Sequence, residues 1–158
     1  MSGEAAESTS ARSALLTEIE PRLRRALVAR YGLDIGCEVA AEAMLWGVEN
    51  ADRLSAMGNP AGYLFRVGQT IARRLFRDRD RMVFPDEPRW ADTSDLPGDV
   101  FDELKRLKPE QRVAVLLVHG YGFTYREVAD LLEVTEAAVT NYVHRGLAKL
   151  RSRLEARA

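Results

Sequence analysis

The fold is decided by the stretch TYREVADLLEVTEAAVTNYVHRGLAKL, residues 124–150. Thr124 and Glu127 stand three residues apart, which is the spacing of a capping box at the start of a helix. A second cap follows at Thr135, three residues after Leu132. Apolar residues recur at helical spacing in both helices: Val128, Leu131 and Leu132 in the first, then Val139, Val143, Gly146, Leu150 and Leu154 in the second. Two short helices joined by a tight turn predict a helix-turn-helix.

The second helix carries short and polar side chains opposite its apolar positions. In its N-terminal half these are Glu136, Ala137, Thr140, Asn141, Tyr142 and His144. The major groove of B-DNA admits one helix, and such side chains can contact base edges there. Basic residues follow at Arg145, Lys149, Arg151 and Arg153, placed to meet phosphates. The pattern favours DNA binding, and the alternative is an amphipathic helix pair without any nucleic-acid role.

The turn between the two helices contains Glu133 where the backbone is expected to adopt a positive φ angle. Glycine is the usual residue at such a position because it has no Cβ to clash. A residue with a side chain costs about 1 kcal/mol there. We therefore expect a strained turn at Glu133.

The charges of the chain are segregated, although the net charge is only −1. Residues 66–81 contain six arginines against two aspartates, and residues 145–158 contain five basic residues against Glu155. Residues 86–103 between them hold seven acids and only Arg89. Because salt screens charges beyond about 8–10 Å, such local patches matter more than the total. Each basic block is either a nucleic-acid contact or a solvated helix face.

Several classes of protein are excluded by what the sequence lacks. No apolar run approaches the roughly 20 residues that span a bilayer, and residues 1–10 do not resemble a secretory signal. One cysteine, Cys37, permits no internal disulfide, and the two histidines form no zinc motif. No phosphate-binding glycine loop or nucleophile motif occurs. We expect a cytoplasmic protein that is not an enzyme and uses no cofactor, metal or small-molecule substrate.

The domain organisation follows from proline, glycine and acidic residues in the middle of the chain. We predict an all-α fold with a disordered tail at 1–10, a helical domain at 11–83, a linker at 84–99 and the helix-turn-helix domain at 100–158. Helices are expected at 11–30, at 34–56, from Asn59-Pro60 onward, at 100–107, and from Pro109 to Gly120. Pro21 should either kink the first of these helices or restart it.

Residues 104–154, LKRLKPEQRVAVLLVHGYGFTYREVADLLEVTEAAVTNYVHRGLAKLRSRL, resemble region 4 of the sigma-70 family, particularly its extracytoplasmic-function group. The resemblance implies a recognition helix that binds the −35 promoter element and a domain that docks on the flap of the polymerase β subunit. It assigns the −35 contacts to Thr135, Glu136, Ala137, Thr140, Asn141, Tyr142, His144, Arg145, Lys149 and Arg151.

The N-terminal half resembles region 2 of the same family. Glu38 and Glu42 match part of an acidic motif that meets the coiled coil of the polymerase β′ subunit, although the motif's glutamine is absent. Tyr63-Leu64 stands where the family has tryptophan-leucine before the −10 helix. The resemblance assigns the −10 contacts to Tyr63, Arg66, Arg73, Arg74, Arg77 and Arg79. It implies promoter DNA, core RNA polymerase and an anti-sigma factor as candidate partners.

Two other functions fit the same residues. In one, the helix-turn-helix binds an operator as a stand-alone transcription regulator, and the N-terminal helices dimerise or sense a ligand. In the other, the C-terminal domain has lost DNA binding and serves as a protein adaptor.

Overall fold

The structure is a computed structural model that describes residues 2–79 and 98–157. Its helices are α1 Ser2–Tyr31, α2 Leu33–Glu49, α3 Ala51–Ser55, α4 Pro60–Arg79, α5 Gly98–Arg106, α6 Pro109–Val115, α7 Tyr125–Leu132 and α8 Glu136–Arg157. A π-helical segment, Leu116–Gly120, follows α6 directly. Across the described residues there is no β-strand, and the prediction of an all-α fold is confirmed.

The first ten residues differ from the predicted disordered tail. Ser2–Ser10 form the first turns of α1, where the hydroxyl of Thr9 donates to the carbonyl of Ala5 at 2.8 Å. Alanine and glutamate have high helix propensity, which outweighs the small serines and threonine in this stretch. The side chains here are almost all exposed. α1 also runs on through Pro21, so the alternative of a helix restarting at this proline is wrong.

The second predicted helix, 34–56, is divided in the structure. Asn50 follows the last residue of α2, and its side-chain Nδ2 donates at 2.9 Å to the carbonyl of Trp46, the same carbonyl that accepts its backbone N–H. Polar side chains that bind nearby backbone groups compete with the helical pattern in this way. The short helix α3 then carries Leu54 into the core. Most of the predicted linker, 84–97, lies outside the described residues, whereas Gly98 and Asp99 form the first turn of α5.

The N-terminal helices α1–α4 and the C-terminal helices α5–α8 pack directly against each other. One cluster of buried apolar side chains runs through both groups, from Leu23 and Leu27 of α1 to Val113 of α6 and Val128 of α7. A smaller cluster of Leu104, Leu107, Val115 and Leu150 joins α5 and α6 to α8. Burial of apolar surface is the main stabilising term in folding, so the two groups of helices stabilise each other.

Candidate nucleic-acid interface

The helix-turn-helix forms as the sequence predicted. Thr124 Oγ1 accepts from the N–H of Glu127 at 3.1 Å, while the Glu127 carboxylate accepts from the N–H of Thr124 at 3.3 Å. Thr135 Oγ1 accepts from the N–H of Ala138 at 3.0 Å and caps α8. Glu133 has φ 55° and ψ 46°, the left-handed conformation expected at this turn. The capping box, the second cap and the positive φ are therefore all confirmed.

The recognition helix α8 keeps its apolar side inward and most of the predicted DNA-contacting residues outward. Val139, Val143 and Gly146 are buried against the rest of the domain. Glu136, Ala137, Asn141, His144, Arg145 and Arg151 are exposed, as is the capping residue Thr135. Thr140 is half-buried, and its hydroxyl donates to the carbonyl of Glu136 at 3.0 Å. These exposed residues form one continuous polar strip along the helix, which we call the recognition face.

Two of the predicted DNA-contacting residues lie off the recognition face. Tyr142 is half-buried in a cavity of about 90 Å³ that is also lined by Phe65 and Gln69 of α4. Lys149 is half-buried, and its Nζ lies 3.2 Å from Oε1 of Gln111. Positions 142 and 149 are seven apart, so they share one side of the helix. We call this side the flank of α8; it faces α4 at Tyr142 and α6 at Lys149.

The basic end of α8 is held by a buried acid that sequence reasoning missed. Glu103 of α5 is only 1% exposed. Its carboxylate lies 2.9 Å from Nη2 of Arg157 and 3.6 Å from Nη1 of both Arg153 and Arg106. Arg153, which the sequence placed near phosphates, therefore pairs with Glu103. The spacing contained the signal, because Glu103 stands three residues after Val100 and four before Leu107, and both of these pack in the smaller apolar cluster.

The residues predicted to contact the −10 element lie along α4. Arg66, Arg73, Arg74 and Arg77 are exposed, and the side chain of Arg79 is outside the described residues. Tyr63 is half-buried against Trp46, with ring centroids 5.3 Å apart. Arg66 Nε lies 3.1 Å from Oε2 of Glu133, in the turn of the helix-turn-helix.

The two residues predicted to bind polymerase lie on α2. Glu38 is exposed, whereas Glu42 is half-buried and its carboxylate is 3.4 Å from Nη2 of Arg74. Leu45 and Val48 are each 59% exposed on the same helix. Two large apolar side chains at this exposure, close to acidic residues, form an apolar patch that the sequence analysis did not identify.

Residues 2–79 and 98–157 contain no group of three histidine, cysteine, aspartate or glutamate side chains that could hold a metal ion. The same residues form no helix that is long and apolar enough to cross a bilayer.

Comparisons with known proteins agree with this architecture. Residues 99–150 match the family model for region 4 of sigma-70. The sigma factor EcfG of Rhodopseudomonas palustris strain TIE-1, named an ECF RNA polymerase sigma factor, is 27% identical over 140 residues, 82% of this chain and 77% of its own. The RNA polymerase sigma-E factor of Streptomyces antibioticus is 32% identical over 102 residues, 60% of this chain and 57% of its own. SigX of Bacillus subtilis strain 168, also named an ECF sigma factor, is 29% identical over 99 residues, 58% of this chain and 50% of its own.

A solved structure has the same fold over most of the chain. It is the sigma factor RpoE of Bartonella quintana, crystallised with the anti-sigma factor NepR, and it superposes with a TM-score of 0.62 at 21% identity. The match covers 90% of this chain and 96% of that one. Residues 99–150 therefore match region 4 of sigma-70, and the chain is similar in sequence to sigma factors of the extracytoplasmic-function group and similar in fold to one of known structure.

Proposed function

We propose that this protein directs core RNA polymerase to promoters by binding the −35 element with α8 and the −10 element with α4. The observation that carries the proposal is the recognition face of α8, on which Asn141 and Arg145 are exposed while Val139 and Val143 hold the helix on its domain. A helix with this division between its two sides can enter the major groove without unfolding the domain that carries it.

At the −35 element we assign base contacts to the N-terminal half of the recognition face. Asn141 can form a bidentate pair with adenine, and the methyl of Ala137 can contact thymine. Arg145 and Arg151 then neutralise phosphates, which fixes the position of the helix without selecting a sequence. Lys149 and Tyr142 contribute from the flank of the helix, where they also contact protein.

At the −10 element the exposed arginines of α4 provide phosphate contacts. Arg73 and Arg77 stand four residues apart and are exposed, so they lie one above the other on the helix. Tyr63 is half-buried at the N-terminal end of α4, and we assign to its ring a stacking contact with a base.

For polymerase docking we propose the surface of α2 that combines Glu38 with the exposed Leu45 and Val48. An apolar centre with an acidic rim has the composition of a protein-binding surface, and the family's partner here is the coiled coil of β′. The C-terminal domain would meet the β flap. An anti-sigma factor is a further proposed partner, because the structurally similar RpoE was crystallised with one.

In this proposal the protein itself performs no chemistry, since the polymerase supplies the active site. It requires no cofactor or small-molecule substrate, and it acts in the cytoplasm, where polymerase and promoter DNA meet. The chain contributes two weak DNA contacts linked in one molecule, which strengthens binding because the second contact becomes intramolecular.

The test is run-off transcription with purified core polymerase and a library of promoters. We expect specific initiation by the native protein, and we expect the N141A/R145A variant to abolish it. The control is D52N, which removes an ion pair between Arg12 and Asp52 in the N-terminal helices and should leave initiation intact. Promoter binding without initiation, together with a stable symmetric dimer on gel filtration, would instead establish the stand-alone regulator. Initiation that the N141A/R145A variant retains would refute the assignment of α8.

A further inference from the structure

The start of α8 offers few polar side-chain atoms to DNA, because its two threonine hydroxyls are used within the protein. Oγ1 of Thr135 accepts from the N–H of Ala138 at 3.0 Å, and the hydroxyl of Thr140 donates to the carbonyl of Glu136 at 3.0 Å. Ala137 and Ala138 have only methyl groups. In the first turn of α8, which the structure describes in full, Glu136 is therefore the one residue with side-chain atoms free to bind a base.

The carboxylate of Glu136 has no protein partner in the described parts of the chain. Glu136 is the first residue of α8, and its side chain is exposed. Across residues 2–79 and 98–157 this carboxylate forms no ion pair or hydrogen bond. The neighbouring acid Glu133, in contrast, has its Oε2 3.1 Å from Nε of Arg66. The carboxylate of Glu136 is thus available to a ligand of the recognition face.

A free carboxylate is an unexpected group at a position that enters DNA, because phosphates flank the major groove on both sides. Glu136 is the only acidic or basic residue from 135 to 143, and the first arginine of α8 is Arg145. A negative charge at a helix N-terminus has a modest stabilising effect on the helix. Repulsion from the phosphates, however, weakens DNA binding unless a base supplies a hydrogen-bond donor to the carboxylate.

The chemistry of a carboxylate determines which bases it can contact. An ionised carboxylate accepts hydrogen bonds and cannot donate them. In the major groove guanine presents N7 and O6 and thymine presents O4, which are all acceptors. Cytosine presents the donor N4 amine, and adenine presents its N6 amine beside the acceptor N7. A glutamate in the groove therefore binds cytosine best and disfavours guanine and thymine.

From these observations we propose that Glu136 is a specificity-determining residue, which selects a cytosine in the −35 element through the N4 amine of that base. This inference rests on the proposed function, because it requires α8 to lie in the major groove. Asn141, which we assign to adenine, stands five residues further along α8, a rise of about 7.5 Å. Since base pairs are about 3.4 Å apart, the cytosine and the adenine should lie within about three base pairs of each other.

The experiment is a selection by the full-length protein from duplexes that contain a short randomised stretch. The native protein should retain sequences with cytosine at one position and adenine at another. E136Q can both donate and accept, so it should lose the preference for cytosine and keep that for adenine, and N141A should do the reverse. The control E155Q removes an exposed acid from the distal end of α8 and should select the same sequences as the native protein.

A second measurement tests the amine itself. In the selected duplex the cytosine is replaced by N4-methylcytosine, which keeps its base pairing and has a methyl group in place of the donor hydrogen in the major groove. Binding of the native protein, measured by fluorescence anisotropy, should weaken about ten- to hundredfold, the range for one base contact. Binding of E136A should change little, because alanine has no acceptor to lose.

The variant E136D separates base selection from helix stability. Aspartate keeps the negative charge at the start of α8, but it is one methylene shorter, so its carboxylate does not reach the base. We expect E136D to unfold at the same urea concentration as the native protein and to lose the preference for cytosine. An E136D variant that keeps this preference would contradict a direct contact by the longer side chain.

The other outcomes distinguish this inference from the proposed function. If N141A loses one base preference while E136Q binds every sequence more tightly by the same factor, then Glu136 only repels phosphates and the inference is overturned, although α8 still lies in the groove. If neither variant alters the selected sequences, α8 does not contact the bases of the −35 element, and the proposed function fails together with this inference.

Discussion

Nε of Arg112 in α6 donates to the carbonyl oxygen of Ala29 in α1 at 3.0 Å, across 83 residues of sequence. Its Nη2 donates to the carbonyl of Arg30 at 3.0 Å, and its Nη1 lies 3.4 and 3.5 Å from the carbonyls of Leu107 and Lys105. The last carbonyls of a helix have no partner within it and carry partial negative charge. Arg112 thus caps α1 from the other domain while only 6% exposed.

Replacing Arg112 with glutamine should destabilise the protein by about 2–4 kcal/mol, because buried carbonyls at the end of α1 lose their donors. Lysine should restore only part of the loss, since an ammonium cannot match the forked guanidinium. Urea unfolding followed by circular dichroism measures this. The control is R24Q, which removes an exposed pair with Glu20 in α1. Equal unfolding midpoints for R112Q and R24Q would contradict the capping role.

The contribution of Arg112 should not change with pH in the neutral range. Burial first, and then the charge of Arg30, lower the pKa of Arg112 to about 10. A lowered pKa means that burying the charged guanidinium has a cost, which partly offsets its hydrogen bonds, stays constant at every pH well below that value and is relieved only as pH rises through about 10. The difference in unfolding free energy between native protein and R112Q should therefore be the same at pH 6 and pH 8. If this difference changed between pH 6 and pH 8, a group other than Arg112 would have to titrate in that range.

Replacing Glu103 with glutamine should cost about 1–3 kcal/mol. The neutral amide leaves Arg106, Arg153 and Arg157 without their common counter-charge, although their partial exposure lets water recover part of the loss. Thermal unfolding of the native protein, E103Q and the exposed control E155Q gives the comparison. If E103Q and E155Q have the same melting temperature, the ion pairs between Glu103 and the arginines do not hold α5 to α8.

The capping box makes a smaller and purely local prediction. Replacing Thr124 with alanine removes the acceptor for the N–H of Glu127 and should cost about 1 kcal/mol. Serine at the same position keeps the hydroxyl and should lose little. Chemical denaturation measures both variants, and a T124S variant as unstable as T124A would mean that the methyl group, not the cap, matters.

The features that the sequence predicted correctly are local ones. Thr124 with Glu127, the cap at Thr135 and the positive φ at Glu133 each depend on residues within one or two turns, so a short window of sequence contains the whole signal. The division of α8 into a buried and an exposed side follows from a period of 3.6 residues.

The features that were missed depend on partners distant in the chain. Nothing near Glu133 indicates that Arg66, 67 positions earlier, will pair with it, and nothing near Arg112 indicates the end of α1. Such contacts follow from how the domains pack, which periodicity does not specify. The prediction that Tyr142 and Lys149 point toward DNA was inaccurate for the same reason. Their side of α8 faces α4 and α6, and this packing is not visible in the sequence of α8 alone.

The last prediction separates the two kinds of arginine on α8. Arg145 is exposed on the recognition face, whereas Arg153 pairs with the buried Glu103. Each phosphate contact releases counterions, so its loss should reduce the slope of log affinity against log salt by about 0.9. R145A should therefore weaken binding to a −35 duplex and lower this slope, measured by fluorescence anisotropy from 50 to 200 mM salt. R153A should lower the melting temperature of the protein, and its salt slope should equal that of R24A. R24A is the control, because it removes one exposed positive charge from α1. A reduced slope for R153A, with R145A unchanged, would mean that DNA lies along the distal end of α8 instead of the recognition face.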